Sequence, residues 1–152
     1  MRPTIFHTVG TSALIGLLGG AFVGVAGFLW LVVYSILWPN EHLGSTAILG
    51  PVMEGVFAVI YGVVIGTIFG AILWAIGIDL KNPVRCGLFG LVLFSILGLF
   101  DLIMTLQETN ERVSQNIVLF VGLGAVSCFI GGPVGGTLVG TLRTKAITRV
   151  AR

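Results

Sequence analysis

Charge is what this chain has least of. Asp, Glu, Lys and Arg make up 9% of its 152 residues, against about 25% in soluble domains. That deficit excludes an ordinary soluble domain and a charge-rich disordered chain alike. Histidine and cysteine are scarce, with two of each. They form no CxxC or HExxH pattern, so neither a metal centre nor a cofactor is expected. The 23 glycines follow no three-residue period, which rules out a collagen-like chain. What the sequence has in plenty is apolar: 56% hydrophobic residues and a mean hydropathy of +1.09. This composition predicts an all-α integral membrane protein.

A spanning helix needs about 20 mainly apolar residues to cross ~30 Å of hydrocarbon. Four uncharged or nearly uncharged runs qualify: 10–37, 55–78, 86–106 and 117–142, the third interrupted only by Asp101. The first run is too long for a signal-peptide core and no small-residue cleavage site follows it, so it is expected to stay in the mature protein. With four alternating spans, Arg2, Lys81, Arg85, Arg143, Lys145, Arg149 and Arg152 fall on one side, and Arg112 alone on the other. The positive-inside rule then predicts a multi-pass plasma (inner) membrane protein with both termini cytoplasmic. Residues 39–54 and 107–116 become outer loops, carrying the acids Glu41, Glu54, Glu108 and Glu111. The basic tail is expected to meet anionic lipid and not nucleic acid.

Sliding the chain on itself by 70 residues aligns Gly62-Val63-Val64-Ile65-Gly66-Thr67-Ile68-Phe69-Gly70 with Gly132-Pro133-Val134-Gly135-Gly136-Thr137-Leu138-Val139-Gly140. The same offset lays Asn40-Glu41 over Asn110-Glu111, a match in a polar loop that apolar composition does not supply. A one-residue gap aligns Gly16 to Gly19 and Gly27 with Gly87 to Gly90 and Gly98. The chain therefore reads as two tandem hairpin repeats, 1–79 and 80–152, joined by a turn at 79–85. An even number of spans in each half makes the repeat parallel, with its pseudo-two-fold axis along the membrane normal.

Residues four apart share one face of a helix, and small residues let helix backbones approach in lipid. Gly16, Gly20 and Gly24 form one such stripe; Gly62, Gly66 and Gly70 a second, extended by Ala58; Gly132, Gly136 and Gly140 a third. A neighbouring row runs through Ser127, Gly131 and Gly135. Depth counted at 1.5 Å per residue brings the first and third stripes to one level, so the first and fourth helices are expected to pack through them. Pro133 should bend the fourth helix and is a candidate hinge. The third helix is rich in Leu, Ile and Phe; Phe89, Phe94 and Phe100 suggest that much of it faces lipid or a bulky partner, and Leu93 and Leu97 are expected to face lipid.

Catalytic constellations are lacking. His7 and His42 fall on opposite sides of the membrane, and Cys86 and Cys128 lie too far apart in depth for a disulfide. Thr67, Thr137, Ser95 and Ser127 are expected to bond back to their own helices. Asp101 stands out as the single acid buried by sequence position, with Arg112 as its candidate partner and an ion or proton site as its candidate role. Two functional readings follow. The first is a non-enzymatic scaffold, assembly factor or accessory subunit that packs with itself or with other membrane subunits. The alternative is a small oligomeric transporter or channel with Asp101 on its path.

Overall fold

The computed structural model describes residues 4–39, 48–107 and 117–150, with side chains described as far as 146. It is all-helical, and its four helices are each long and apolar enough to cross a membrane. Helix α1 is Ile5–Leu37, α2 Leu49–Ile76 and α3 Pro83–Gln107. Helix α4 runs from Ile117–Val121 through a π-helical turn, Gly122–Val126, into Ser127–Val150. One end of the bundle carries the 79–85 turn and Arg143, and is called the basic end below. The opposite, acidic end carries the start of α2 and the end of α3. Residues 40–47 and 108–116, with His42 and Arg112, lie outside the described residues.

Local chemistry sets the helix ends. Gly77 closes α2 in the left-handed conformation at φ 81°, its N–H donating to the Leu73 and Trp74 carbonyls; glycine adopts that backbone without steric cost. Asn82 then opens α3. Its Oδ1 accepts the Val84 N–H at 2.9 Å, and Pro83 takes the first helical position, where a missing N–H costs nothing. Helix α2 starts six residues before the uncharged run at 55–78. Pro51 fits its first turn for the same reason as Pro83 fits α3, and Glu54 becomes a helix residue, not part of an outer loop.

Packing differs from the sequence expectation in its pairings. Gly16 and Gly62 meet backbone to backbone, Gly20 faces Ala58 and Val59, and Gly24 faces Gly55, where an added Cβ would lie 3.0 Å from the Gly55 Cα. The first stripe is thus seated on α2, not on α4. Gly132 meets the Gly90 carbonyl, Gly136 the backbone of Cys86 and Gly87, and Gly140 that of Pro83, so the third stripe is seated on α3. Contact between α1 and α4 runs instead through the neighbouring row: Gly131 against Phe22 and Val23, Gly135 against Leu18 and Gly19. Helices α1 and α4 form the middle of the bundle, while α2 and α3 flank them and touch each other sparsely. The cross-hairpin contact is therefore one-sided.

Leu93 of α3, expected to face lipid, is core, and Phe94 beside it meets other helices and not lipid. Phe94 is fully buried and Leu93 nearly so, packed with Val23, Ala58 and Cys128. The ring of Phe94 fills the space left by Gly19 and Gly132, so a bulky side chain on α3 answers glycines on two other helices. Phe100 does face outward, at 61% exposure.

Candidate functional site

The membrane-embedded acids come together. Helix α2 carries Glu54 and α3 carries Asp101, and both line the same two cavities between the helices. Four helices converge on them. A Cβ built on Gly27 of α1 would lie 3.4 Å from the Glu54 Oε2 and 3.5 Å from the Ser127 Oγ of α4. A Cβ on Gly124 of α4 would overlap the Asp101 carboxyl group, so Asp101 occupies the room that a missing side chain leaves. The Oε1 of Glu54 is buried with no hydrogen-bond partner among the described residues.

The π turn of α4 lies against this pair. A π turn carries one more residue than an α turn and is often found at functional positions. Here Ser127 Oγ donates to the Gly122 carbonyl at 2.9 Å, five residues back, which helps satisfy a backbone group in the widened turn. The indole of Trp30 is pressed against Gly122, its Nε1 buried without a described partner.

One cavity, of about 170 Å³, is lined by Gly50, Glu54, Asp101, Thr105, Leu123 and Gly124 among others. The second, of about 300 Å³, is lined by Glu54, Phe57, Leu97, Phe100, Asp101 and Cys128 with Ala58. Gly50, Glu54 and Ala58 are successive turns of α2, and Thr105, Asp101 and Leu97 successive turns of α3. The carboxylates therefore stand between a smaller cavity toward the acidic end and a larger, more apolar one deeper in the bundle. Carboxylates held away from water require a counter-charge or a proton. This arrangement can hold a proton, a monovalent cation or an ammonium group between two helices.

Of the other residues singled out in the sequence, Arg112 lies outside the described residues. Pro133 lies inside α4, and its carbonyl accepts the Thr137 hydroxyl at 2.9 Å. Thr67 likewise bonds back, to the Val63 carbonyl at 2.6 Å. Cys86 and Cys128 are both free and buried. Glu54 is the residue that sequence reasoning missed. The signal was its register: Glu54, Ala58, Gly62, Gly66 and Gly70 are spaced by four, so the acid continues the glycine stripe into the bundle.

At the basic end Arg143 of α4 ties three segments. Its Nη1 donates to Thr11 Oγ1 at 3.0 Å and to the Leu80 carbonyl at 2.9 Å, and its Nη2 touches the His7 ring. Cys86 Sγ donates to the same Leu80 carbonyl at 3.3 Å, and Lys81 pairs with Asp79 at 2.6 Å. Among the described residues no group of three or more His, Cys, Asp or Glu side chains is arranged to hold a metal ion. Compared with protein families, with curated proteins and with solved structures, the chain matches none.

Proposed function

We propose that this protein is a non-enzymatic, multi-pass component of the plasma (inner) membrane that takes up a proton or a monovalent cation at Glu54 and Asp101. The observation that carries the reading is the shared cavity: acids from two helices face one space in the span region. Ionisable residues at such positions are costly and commonly mark ion or proton paths. The bias of basic residues supports a cytoplasmic basic end, so the site opens toward the outer face. The two-repeat reading, 1–79 and 80–152, is supported by equivalent stripes in equivalent roles: Gly70 of α2 lies on Ser12 of α1 as Gly140 of α4 lies on Pro83 of α3.

Flux in proteoliposomes tests the function. Purified protein should dissipate an imposed proton or sodium gradient, and Glu54→Gln or Asp101→Asn should each abolish the flux while thermal unfolding in detergent stays cooperative. Flux that survives both substitutions would sink the reading.

A second reading, the scaffold or accessory subunit, has its own observation. An apolar groove of about 530 Å³ runs along the outside of α1 and α2, with Gly24 and Gly55 at its floor and Phe28, Val52, Val56 and Ile60 on its walls. Another membrane helix would fit there by the close approach that small residues permit. Co-purification of a stoichiometric membrane subunit, lost when Val56→Trp fills the groove from an exposed wall, would support it.

A further inference from the structure

The deeper cavity is larger and more apolar than a proton or a bare metal ion requires. Beyond the carboxylates its lining is Phe57, Ala58, Leu97, Phe100 and Cys128, and none of these side chains offers an oxygen to complete the shell of a bare cation. Its position in the fold is also distinctive. Helices α2 and α3 stand apart, and Phe57 and Phe100, one on each, are 62% and 61% exposed. The space thus opens sideways, between two aromatic rings, into what would be the lipid phase. An apolar pocket with two convergent carboxylates and aromatic walls has the chemistry that recognises an organic cation: charge at one end, rings that attract an ammonium group and its apolar body along the rest.

We propose that this cavity binds an amphipathic monovalent ammonium ion, with its charged head on Glu54 and Asp101, one carboxyl group of the pair keeping its proton, and its apolar body between Phe57, Leu97 and Phe100, entering laterally between α2 and α3. The proposal rests on the carboxylate pair being the cation site and names the substrate class of that site. The smaller cavity toward the acidic end, with Thr105 beside the acids, then provides the exit of the head group toward water. An ion with its body in the deeper cavity and its head at the acids fills the larger space and reaches the boundary with the smaller one.

Calorimetric titration of the full-length protein in detergent, at constant ionic strength, tests this with three probes: benzyltrimethylammonium, tetramethylammonium and sodium. Benzyltrimethylammonium should bind at least about tenfold more tightly than tetramethylammonium, the effect of taking one aromatic ring out of water. Glu54→Gln and Asp101→Asn should each remove that binding, and Phe100→Ala should narrow the gap between the two ammonium probes. Because Phe100 is largely exposed, this last variant is expected to fold. Equal affinity for the two ammonium ions would overturn the proposal. So would acid-dependent proton or sodium flux without any ammonium binding, which leaves the cation-site reading standing. Loss of both flux and binding in the wild-type protein would overturn both.

Discussion

Toward the basic end the helices meet backbone to backbone, whereas toward the acidic end, beyond the contact of Gly24 with Gly55, α2 and α3 stand apart around two carboxylates. Side chains built on Gly16, Gly62, Gly136 or Gly140 would strike main-chain atoms of the neighbouring helix. Built on Gly27 or Gly50, they would find their nearest neighbours at 3.4 and 3.7 Å, and those neighbours are side chains. The basic end is further closed by Arg143, whose bonds join α4 to α1 and to the turn between α2 and α3. At the acidic end the π turn widens α4 instead. Glycine therefore does two jobs in one fold. It brings backbones together in one half, and in the other, at Gly124, it makes room for a charged group.

Enlarging the glycines of the closed half should have the largest effect. Gly20→Leu, Gly66→Leu and Gly136→Leu each place a side chain against backbone, of Ala58 and Val59, of Ser12, and of Cys86 respectively. Backbone cannot move aside as a side chain can, so each should cost about 3 kcal/mol or more. Thermal unfolding in detergent measures it. The comparison sharpens with Gly10→Ala, where nothing lies within 4 Å and the gain in helix propensity, up to ~1 kcal/mol, should show as a slight rise in stability.

In the open half the same kind of change should act on function before stability. Gly124→Ala puts a methyl group where the Asp101 carboxyl lies. The carboxyl can rotate into the adjoining cavity, so unfolding should shift little. Cation binding should weaken about tenfold or more, as expected when one member of a buried charged contact is displaced. If Gly124→Ala unfolds the protein as readily as Gly136→Leu, the two halves are not packed on different terms.

A smaller effect is expected at the clamp. Arg143→Gln removes the charge and the second arm of the guanidinium, leaving the Leu80 carbonyl with only the weak Cys86 thiol donor. Hydrogen bonds from charged groups contribute about 1.5–3 kcal/mol, so a loss near 2 kcal/mol should follow. Arg143→Lys should not restore it, since an ammonium does not reproduce the planar fork that reaches two acceptors. Amide exchange should quicken first around Leu80. Cation binding should hold within a factor of about two, because Arg143 and the two acids lie at opposite ends of the bundle and share no partner among the described residues.

Much of this was legible in the residues, and the part that was not has a physical reason. Four apolar runs give four helices because composition and length alone decide what a bilayer accepts. The glycine stripes were visible as spacings of four, but spacing names a face and not the partner it meets. Helix α1 has glycines on more than one face, at 16, 20 and 24 and again at 19 and 27, and depth arithmetic did not distinguish which face meets α4. On its own helix Phe94 could face lipid or a partner, and it is core because Gly19 and Gly132 leave a hole for its ring. Glu54 is hidden by charge: an acid ordinarily marks the end of an apolar span, whereas α2 begins at Leu49, before it. Yet Glu54 lies seventy residues before Gly124, the same offset that lays Gly62–Gly70 over Gly132–Gly140. At that offset an acid on α2 falls over the glycine whose missing side chain leaves room for Asp101.

Pro133 carries the smallest expected change, and its sign follows from its neighbours. The ring leaves the Phe129 carbonyl without its usual helical donor, and Pro133→Ala would restore that bond, a gain of about 1 kcal/mol if nothing else moved. Other things do move. Gly131 and Gly135 on one face of α4 touch the α1 backbone, and Gly132 and Gly136 on the other touch that of α3. Both pairs bracket Pro133, so any change of helix direction at that residue presses α4 into one neighbour or the other. The restored bond and the lost fit should nearly cancel, leaving stability within about 1 kcal/mol of wild type. A hinge predicts something else. If α4 bends about Pro133 during transport, Pro133→Ala should slow flux strongly while equilibrium binding of the cation stays the same. Since α4 is held on both faces there, we expect flux and binding to change together and only slightly. A flux defect without a binding defect would show that the clamped middle of α4 moves after all.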